Sequence, residues 1–583
     1  MATIPVIVKH QGKKHEVELD PESNGETFKS QLYSLTGVEP ERQKILVKGG
    51  QLKDDTILSS LNAKPGQTFM MMGTPSGETS ALEKPKEKIK FMEDMTAAEI
   101  AKQEGAIPAG LQNLGNTCYL NSTLQVLKSV PEMQETLALY KAEPAASGSN
   151  LQSLSQFGLG GLGSSADLTA SLRDLYKQMS ETQEGFPPLM FLNSLRTAFP
   201  QFAQKAKTGH GYAQQDAEEA WSQIVSQLRQ KLKISSDSSS EKKEAISFID
   251  RYLAGTFETT LTPPAEAVDK EEPIHGEETF LKLDCHIDKD INHLRDGIVA
   301  GLSEEIEKRS EALGRDAIYT KTSRISRAPK YLTVHFVRFF WKREAGKKAK
   351  IMRKVTFPSE LDVVEFCTEK LRKQLIPVRD KVREIRKDEH DIQRARKRQK
   401  LRHKEEEDRK HDDAMAEAAP LKKAQEAKER KEAEKSGKAK QPENNESDVY
   451  KTDAEYEAER EASIKAAKKE LYAAIDPDLA ADEGSNRSGL YELRGVITHQ
   501  GASADSGHYT SYVKKTGRMV DDPKAPGGKR REEDGKWWWF NDDKVSEVDP
   551  EKIETLAGGG ESHSALILLY RAIDLPSKEE IES

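Results

Sequence analysis

Three short stretches of the sequence hold residue types that could act together in nucleophilic catalysis. Cys118 precedes an apolar stretch that ends at Val130, His508 lies far downstream, and Asn541 begins an Asn-Asp-Asp run after the aromatic segment Trp537–Phe540. A thiol nucleophile needs an imidazole base and a group that orients the imidazole, and the three meet in space rather than in sequence. The chain order Cys, His, Asn/Asp therefore suits a cysteine hydrolase.

Cys118 stands where a turn could deliver its sulfur to the start of a helix. Gly115 precedes it, and Leu120, Leu124 and Leu127 follow at the spacing of one helix face. The first N–H groups and the dipole of that helix would favour the thiolate, which is the reactive form. Asn113, five residues before the thiol, could donate to a developing oxyanion. The alternative is a buried structural cysteine, which is the commoner fate of a free thiol.

His508 is flanked by Gly507 and Tyr509, between predicted strands at 495–500 and 509–513. We expect residues 501–507 to form a mobile hairpin tip beside the imidazole. The alternative is an ordinary exposed loop histidine, and we interpret the nearby His499 as structural. Either Asn541 or Asp542 could accept the hydrogen bond that fixes the imidazole tautomer. Residue types alone leave both open.

The composition restricts the class of protein. A chain of 583 residues predicts more than one domain, and a net charge of −8 gives no overall attraction to nucleic acid. Only Cys118, Cys285 and Cys367 are cysteines, too few for a disulfide framework or an all-cysteine zinc site, which predicts a reducing compartment. No apolar run approaches the ~18 residues of a membrane span, and none resembles a signal peptide. We expect a cytoplasmic and nuclear protein.

The order of predicted elements indicates two domains joined by a linker. Residues 1–74 alternate as β-β-α-β-β and resemble the ubiquitin-like β-grasp fold, but they lack the terminal Gly-Gly of a conjugated modifier, which indicates a binding module. Residues 75–106 have the Gly, Ser, Pro, Lys and Glu content of a flexible linker. The chemistry lies in residues 107–574.

One charged tract, at about 371–475, interrupts this second domain. Lys, Arg, Glu, Asp and Ala dominate it, and an apolar seam at Val378, Val382, Ile385 and Ile392 fades without forming sustained heptads. The pattern predicts an inserted pair of solvated helices or a partly disordered arm. A solvated face with no specific role is the simpler interpretation, and a docking surface for an acidic or nucleic-acid partner is the alternative.

Several of these motifs resemble those of the ubiquitin-specific proteases. Residues 110–124 resemble the Cys box of that family, 507–513 and 537–545 the two parts of its His box, and 211–219 its Gln-Gln-Asp-Ala box, while 332–341 and 355–358 resemble its palm strands. With the N-terminal unit, the match is to the proteasome-associated members that carry a ubiquitin-like module. The resemblance implies an α+β protein: a β-grasp domain, then a papain-like protease domain of fingers, palm and thumb with a charged helical insertion.

The resemblance assigns roles to the residues singled out above. Cys118 would be the nucleophile, His508 the general base and Asn541 the third member of the triad, where many relatives carry Asp. Asn113 would hold the oxyanion, and Asp542 would support the site or share the role of Asn541. The implied reaction is cysteine-dependent hydrolysis of the isopeptide bond after the C-terminal glycine of ubiquitin.

The resemblance also implies binding residues and partners. The residues assigned to ubiquitin are Gln215, Asp216, Glu219 and Tyr509, although Asp216 and Glu219 also suit a solvated helix N-terminus. No metal or other cofactor is expected, because residues 255–330, where many relatives hold zinc, contain only Cys285. Beyond ubiquitin and its conjugates, the implied partner is the 26S proteasome regulatory particle, bound through residues 1–74, with no membrane or nucleic-acid partner. Residues 501–507 and 342–350 resemble loops that cover the cleft until a partner binds.

Two other functions fit the sequence. One is a regulatory binding protein whose hydrolase domain no longer works, although Cys118 and His508 are both present. The other is a general papain-like protease, or a protease for another ubiquitin-like modifier. A nucleic-acid role for the basic stretch 394–402 is disfavoured, since it has no interleaved aromatic residues and acidic residues follow it directly.

Overall fold

The computed structural model describes residues 3–10, 13–47, 50–73, 95–101, 103, 105–142, 167–206, 211–235, 245–342, 347–388, 453–503, 506–521, 529–560 and 562–575. The chain divides into two compact units, Met1–Asp94 and Met95–Ser583. Of the positions singled out in the sequence, Ile392, the basic stretch 394–402 and residues 504–505 of the expected hairpin tip lie outside the described residues.

The first unit is a five-stranded sheet crossed by one helix. Its elements are β1 (Ile4–His10), β2 (Lys13–Leu19), α1 (Gly25–Thr36), β3 (Lys44–Val47), β4 (Gly50–Gln51) and β5 (Thr68–Met72). The strand order is β2-β1-β5-β3-β4, with β1 and β5 parallel. Helix α1 begins where the Asn24 side chain accepts a hydrogen bond from Thr27 N and ends at Gly37, whose φ of 69° few other residues adopt. The predicted ubiquitin-like β-grasp fold is confirmed.

The second unit contains both helices and strands, which confirms the α+β class. Its helices are α2 (Ala97–Ala101), α3 (Cys118–Lys128), α4 (Pro131–Leu139), α5 (Leu168–Met179), α6 (Leu189–Ala198), α7 (Ala217–Lys231), α8 (Phe248–Tyr252), α9 (Leu294–Gly301), α10 (369–388), α11 (Asp453–Ala474), α12 (Pro477–Ala481) and α13 (Glu551–Glu554). None of the described helices combines the length and apolar content that crossing a membrane requires.

The strands of this unit form two larger sheets and two hairpins. They are β6 (Lys233–Ser235), β7 (Ala245–Ser247), β8 (Gly255–Thr262), β9 (Ile274–Phe280), β10 (Leu283–His286), β11 (Ser303–Arg309), β12 (Asp316–Arg327), β13 (Tyr331–Val337), β14 (Phe339–Lys342), β15 (Lys347–Lys350), β16 (Glu360–Asp362), β17 (Leu490–Ser503), β18 (Ser506–Lys514), β19 (Arg518–Asp521), β20 (Lys529–Glu532), β21 (Trp537–Asn541), β22 (Lys544–Val548) and β23 (Ser564–Ala572). The central sheet runs β10-β13-β23-β17-β18-β21-β22, with β14, β15 and β16 at its side. A smaller sheet runs β11-β12-β8-β9.

Both faces of the central sheet are buried, because alternate side chains of its strands point into different cores. Ile497 and Leu569 pack with helices α3 to α7, whereas Val496 and Leu568 pack on the opposite face with Val334 and its neighbours. Because both faces are buried, strand β23 has the continuous apolar run 565–570 instead of alternating polar and apolar residues.

Helix α3 lies unusually close to the central sheet. A Cβ on Gly495 of strand β17 would stand 2.6 Å from a methyl carbon of Val126, a separation that real Cβ atoms do not show. Gly495 thus lets the helix that begins at Cys118 rest directly on the strands that carry His508. This contact fixes the height of the thiol above the sheet.

The base of the charged insertion is not solvated as expected. Leu371 and Leu375 belong to the second core, so α10 starts inside the domain rather than on its surface. Val378, Val382 and Ile385 are buried against Ile464, Ala467 and Leu471 of α11. The prediction was wrong for these ends, because an apolar seam too short for a coiled coil is still long enough to bury two helices that pack on a domain. Residues 389–452 lie outside the described residues.

The smaller sheet is held at one end by a carboxylate. Glu271 accepts hydrogen bonds from Ser310 Oγ at 2.6 Å, Tyr319 OH at 2.5 Å and Ala312 N at 2.8 Å. These donors lower the pKa of Glu271 to about 2. The carboxylate thus ties the β11–β12 turn to the segment before β9.

We predict that Glu271→Gln lowers the thermal midpoint of the chain at pH 7. The folded pKa lies below the ordinary value of 4.5, so this contribution is present above about pH 4.5 and is lost as the pH falls toward 2. The difference in midpoint between parent and variant should shrink over that range. Calorimetry at several pH values measures it, with the exposed Glu305→Gln in β11 as the control. A constant difference across the range would contradict the assignment.

Candidate active site

The Cys118 thiol is presented by a tight turn at the start of α3. Gly115 and Asn116 adopt positive φ values of 93° and 55°, and the helix begins at Cys118 itself. The Asn113 Oδ1 atom accepts the N–H groups of Gly115 and Thr117, both at 3.1 Å. The predicted turn and helix are therefore present, and Asn113 holds the turn together.

The thiol is buried and protonated in this conformation. Cys118 is only 3% exposed, and burial raises the pKa of its thiol to about 11, with the nearby Asp542 carboxylate adding to the increase. The backbone N–H groups of Tyr509 and Tyr119 oppose this increase by donating toward the sulfur. The helix N-terminus alone does not overcome the loss of water, so the expected low thiol pKa is not found here.

His508 is oriented by the residue that follows Phe540. Its Nε2 atom lies 2.6 Å from Asn541 Oδ1. Because an amide oxygen only accepts, Nε2 carries the proton and Nδ1 keeps its lone pair. Between Cys118 Sγ and the His508 ring, the described residues show no hydrogen bond, as is common before substrate binds.

Asp542 bonds to the nucleophile side of the site rather than to His508. Its Oδ2 accepts Asn113 Nδ2 at 3.0 Å and its Oδ1 accepts Asn121 Nδ2 at 2.8 Å. Its backbone oxygen accepts Leu111 N at 2.9 Å, and its φ is 54°. The turn after β21 therefore places one side chain on the imidazole and the next on the turn before Cys118.

Close packing supports this turn from behind. A Cβ on Gly110 would stand 2.4 Å from Asp543 O, and a Cβ on Gly185 would stand 2.6 Å from the Asp543 Cβ. The two glycines thus allow the backbone of the Asn541–Asp543 turn to touch the segments at 110 and 185. Phe186 N donates to Gly110 O at 3.0 Å and joins those segments to each other.

A cluster of basic side chains lies beside His508. The His563 ring is 6.3 Å from the His508 ring, and its Nδ1 is 3.1 Å from Thr498 Oγ1. Lys350 Nζ donates to His499 O at 2.6 Å. Burial lowers the pKa values of His499 to about 3, of His563 to about 4 and of Lys350 to about 8. The two histidines are therefore neutral at pH 7.

Where the structure describes them, the two segments expected to be loops over the cleft are largely strands, and residues 343–346 of the second lie outside the described residues. Strands β17 and β18 pair as far as Ser503 and Ser506, so the expected seven-residue tip at 501–507 is wrong, although 504–505 lie outside the described residues. Residues 339–342 and 347–350 pair as a second hairpin, and Ala349 pairs with Ser503. Backbone pairing and the packing of Phe339 against His499 hold them together, and residue types could not indicate these contacts between distant segments.

The expected ubiquitin-binding residues occupy different environments. Asp216 caps helix α7, since its Oδ1 accepts Glu218 N at 3.0 Å, and half-buried Glu219 lies in the first turn. Gln215 has a buried Nε2 with no hydrogen-bond partner in the described part of the chain. The side chain of Tyr509 is fully buried and packs edge-on against His499, so it offers no surface to a partner in this conformation.

Sequence reasoning missed Asn121, Lys350 and His563. Asn121 is a polar residue one turn after the nucleophile, but Ser122, Thr123 and Gln125 on the same helix are polar too, so the local sequence did not single it out. Lys350 sits in a lysine-rich run, and His563 lies 55 positions beyond His508 outside any motif. Nothing in their local sequence indicated burial.

The described residues contain no group of three or more His, Cys, Asp or Glu side chains that could hold a metal ion. Cys285 is buried in the second core, where a Cβ on Gly297 would stand 2.3 Å from its sulfur. It serves packing in this structure.

Comparison with known proteins agrees with the site. Residues 109–570 match the family described as ubiquitin carboxyl-terminal hydrolase, and residues 6–76 match the ubiquitin family. The chain is 41% identical to ubiquitin carboxyl-terminal hydrolase 6 of Schizosaccharomyces pombe over 98% of its own length and 99% of the relative. It is 37% identical to ubiquitin carboxyl-terminal hydrolase 6 of Arabidopsis thaliana, with 97% and 98% covered. It is 32% identical to ubiquitin carboxyl-terminal hydrolase 14 of Caenorhabditis elegans, with 98% and 94% covered.

The resemblance inferred from the motifs is thereby confirmed across both units. The family model spans the segments that carry Cys118, His508 and Asn541. The chain belongs to the ubiquitin carboxyl-terminal hydrolase family and is a cysteine-dependent ubiquitin hydrolase with an N-terminal ubiquitin-like domain.

Proposed function

We propose that this hydrolase removes ubiquitin from conjugates held at the 26S proteasome, and that it stays latent until its ubiquitin-like domain engages the regulatory particle. The observation behind the proposal is the inactive state of the thiol: Cys118 is buried, protonated and not hydrogen-bonded to His508 in the described structure. A thiol with a pKa of about 11 is about one part in 10⁴ ionised at pH 7. Activity then requires a change that exposes and activates it.

The proposed reaction uses three side chains on the reacting atoms. His508 Nδ1 takes the proton of Cys118, and the sulfur attacks the carbonyl carbon of the terminal glycine of ubiquitin. Asn113 donates to the oxyanion through the amide hydrogen that Asp542 does not use. His508 then protonates the departing lysine amine as the C–N bond breaks. A water molecule, deprotonated by His508, cleaves the thioester and regenerates the thiol.

Asn541 supports this cycle by holding one tautomer of the imidazole. It accepts from Nε2 whether His508 is neutral or protonated, so the ring keeps its orientation while Nδ1 gains and loses the proton. An amide lends less charge to the imidazolium than a carboxylate would. Asp542 cannot replace it without giving up its bonds to Asn113 and Asn121.

The latent state is proposed to depend on the hairpin β14–β15. Lys350 is buried, and its ammonium donates to the backbone oxygen of His499, the residue that pairs with Tyr509 in the β17–β18 ladder. The pairing of Ala349 with Ser503 adds a second link. These contacts hold one hairpin against the other beside His508. The Tyr509 N–H is directed at the Cys118 sulfur, so we propose that moving β15 away loosens this part of the ladder, lets water reach the thiol and lowers its pKa.

The first unit offers a surface for the proposed partner. Leu46, Met70 and Met72 are 43%, 54% and 49% exposed on the outer side of the sheet, where Leu46 pairs with Met70. Exposed Lys9 pairs with Met70 and exposed Lys44 pairs with Met72. We call these five residues the Met70 face. Methionine side chains are flexible enough to fit different apolar surfaces, and the two lysines beside them are positively charged. The Met70 face therefore suits an apolar groove on the partner with acidic residues at its edge.

We propose that the chain acts where proteasomes work, in the cytoplasm and the nucleus. A chain of 583 residues with only three cysteines, all free in the structure, is compatible with those reducing compartments. Neither a membrane nor a nucleic acid is a proposed partner. A regulatory role that needs no hydrolysis could coexist with catalysis, and Cys118→Ala separates the two because only the catalytic role requires the thiol.

The triad assignment predicts that Asn541→Ala lowers kcat toward ubiquitin–aminomethylcoumarin by about 10²-fold, because the imidazole loses its orienting acceptor. Asn541→Asp should keep most of the activity, since a carboxylate accepts the same bond. Steady-state kinetics in the presence of proteasomes measures both. Equal losses for the two variants would contradict the assignment.

We call the contact of Lys350 Nζ with His499 O and the pairing of Ala349 with Ser503 the latch. It predicts that Lys350→Met speeds adduct formation between Cys118 and a ubiquitin probe with a C-terminal electrophile, without proteasomes. Methionine keeps the buried methylene groups but cannot donate to His499 O. A charge-assisted bond contributes about 1.5 to 3 kcal/mol, so we expect at least about a tenfold increase. The control is Lys373→Met, which changes an exposed lysine on α10. An unchanged or slower rate would refute the latch.

If the Met70 face binds the proteasome, Leu46→Glu should weaken binding to purified proteasomes by at least about tenfold, because burying a carboxylate in an apolar groove is costly. Leu35→Glu, on the exposed side of α1, is the matched control. Adduct formation without proteasomes should be the same for both variants, and stimulation by proteasomes should be lost only for Leu46→Glu. The proposed activation through the ubiquitin-like domain would be contradicted if deleting residues 1–74 changed adduct formation neither with nor without proteasomes.

A further inference from the structure

Asn121 occupies a position between the nucleophile helix and the turn that carries Asn113. It lies three residues after Cys118 on α3 and is almost completely buried. Its Nδ2 donates to Asp542 Oδ1 at 2.8 Å and to the backbone oxygens of Leu111 and Gln112 at 3.1 and 3.3 Å. Three oxygen acceptors around one end of the amide identify that end as the nitrogen.

The other end of the same amide is left without a partner. Asn121 Oδ1 is buried and accepts no hydrogen bond from the residues that the structure describes. A buried orphan acceptor is destabilising, and native structures keep such groups where another requirement outweighs stability. That requirement is visible on the Nδ2 side, where every contact goes to the segment carrying Asn113 or to Asp542.

The contacts close a ring around the nucleophile turn. Asn121 holds one oxygen of Asp542, and the other oxygen accepts Asn113 Nδ2. Asn113 Oδ1 in turn accepts the N–H groups of Gly115 and Thr117, which lead directly into Cys118. Rotation of the Asp542 carboxylate would therefore move the Asn113 amide relative to the sulfur. Asn121 is the contact from the nucleophile's own helix that prevents this rotation.

We propose that Asn121 is a positioning residue, which sets the Asn113 amide at the place of the oxyanion by fixing the Asp542 carboxylate. The inference rests on the proposed oxyanion role of Asn113. In the described structure the Asn121 side chain makes its hydrogen bonds to Leu111, Gln112 and Asp542, so it acts on the site through them. Its effect should fall on transition-state stabilisation and hence on kcat, with little effect on how ubiquitin binds.

The test compares Asn121→Leu with Gln125→Leu in the full chain. Gln125 lies one turn further along α3 and donates a single buried bond to Ala109 O at 2.9 Å, so its variant controls for the loss of a buried amide. Steady-state kinetics with ubiquitin–aminomethylcoumarin gives kcat and KM, and thermal unfolding monitors the fold. Asn121→Leu should lower kcat by about 10- to 100-fold, with KM within about threefold. Gln125→Leu should leave kcat within about threefold.

A double-mutant cycle with Asn113→Ala separates the possible failures. If Asn121 acts through Asn113, the double variant is no slower than Asn113→Ala within about threefold. Multiplicative losses, or equal losses in kcat for Asn121→Leu and Gln125→Leu, would overturn the inference. An unchanged kcat in Asn113→Ala would instead overturn the oxyanion role. If Asn121→Leu does not fold, the smaller polar Asn121→Ser takes its place in the same cycle.

Discussion

The active site depends on one carboxylate that joins distant parts of the chain. Asp542 bonds Asn113 across 429 positions of sequence and Asn121 across 421. The first partner lies in the nucleophile turn and the second in the helix that follows it. Because Asn541 is the neighbouring residue, the same turn also fixes His508. The relative position of nucleophile and base thus depends on a turn of three residues with one positive φ at Asp542.

Close backbone approaches make that carboxylate effective. Gly495 brings α3 down onto β17, and Gly110 and Gly185 admit the Asn541–Asp543 turn between their segments. Each glycine stands where a Cβ would come within 2.4 to 2.6 Å of its neighbour and push two pieces of the site apart by about an ångström. Catalytic geometry tolerates displacements of that size poorly. The cores on both faces of the sheet make the site rigid, and the glycines allow the short distances between its backbone segments.

Much of this arrangement could be predicted from the sequence, and the rest could not for identifiable reasons. The helix after Cys118 follows from local periodicity, an aromatic run such as Trp537–Phe540 is typical of a strand, and the motifs indicate the family. The choice between Asn541 and Asp542 as the partner of His508 required the geometry of a turn, since both side chains accept hydrogen bonds. The pairing of Ala349 with Ser503 and the burial of Val378 depend on contacts between segments far apart in sequence. Residue types carry no record of such contacts.

The buried, protonated state of Cys118 has a consequence for the lifetime of the protein. Peroxides and other oxidants attack thiolates that they can reach, and a neutral thiol with 3% exposure meets neither condition. A conformation that ionises the sulfur for ubiquitin also exposes it to oxidation. Under the proposed latency, chemical damage accumulates in the working copies of the enzyme, while the resting copies persist as an intact reserve.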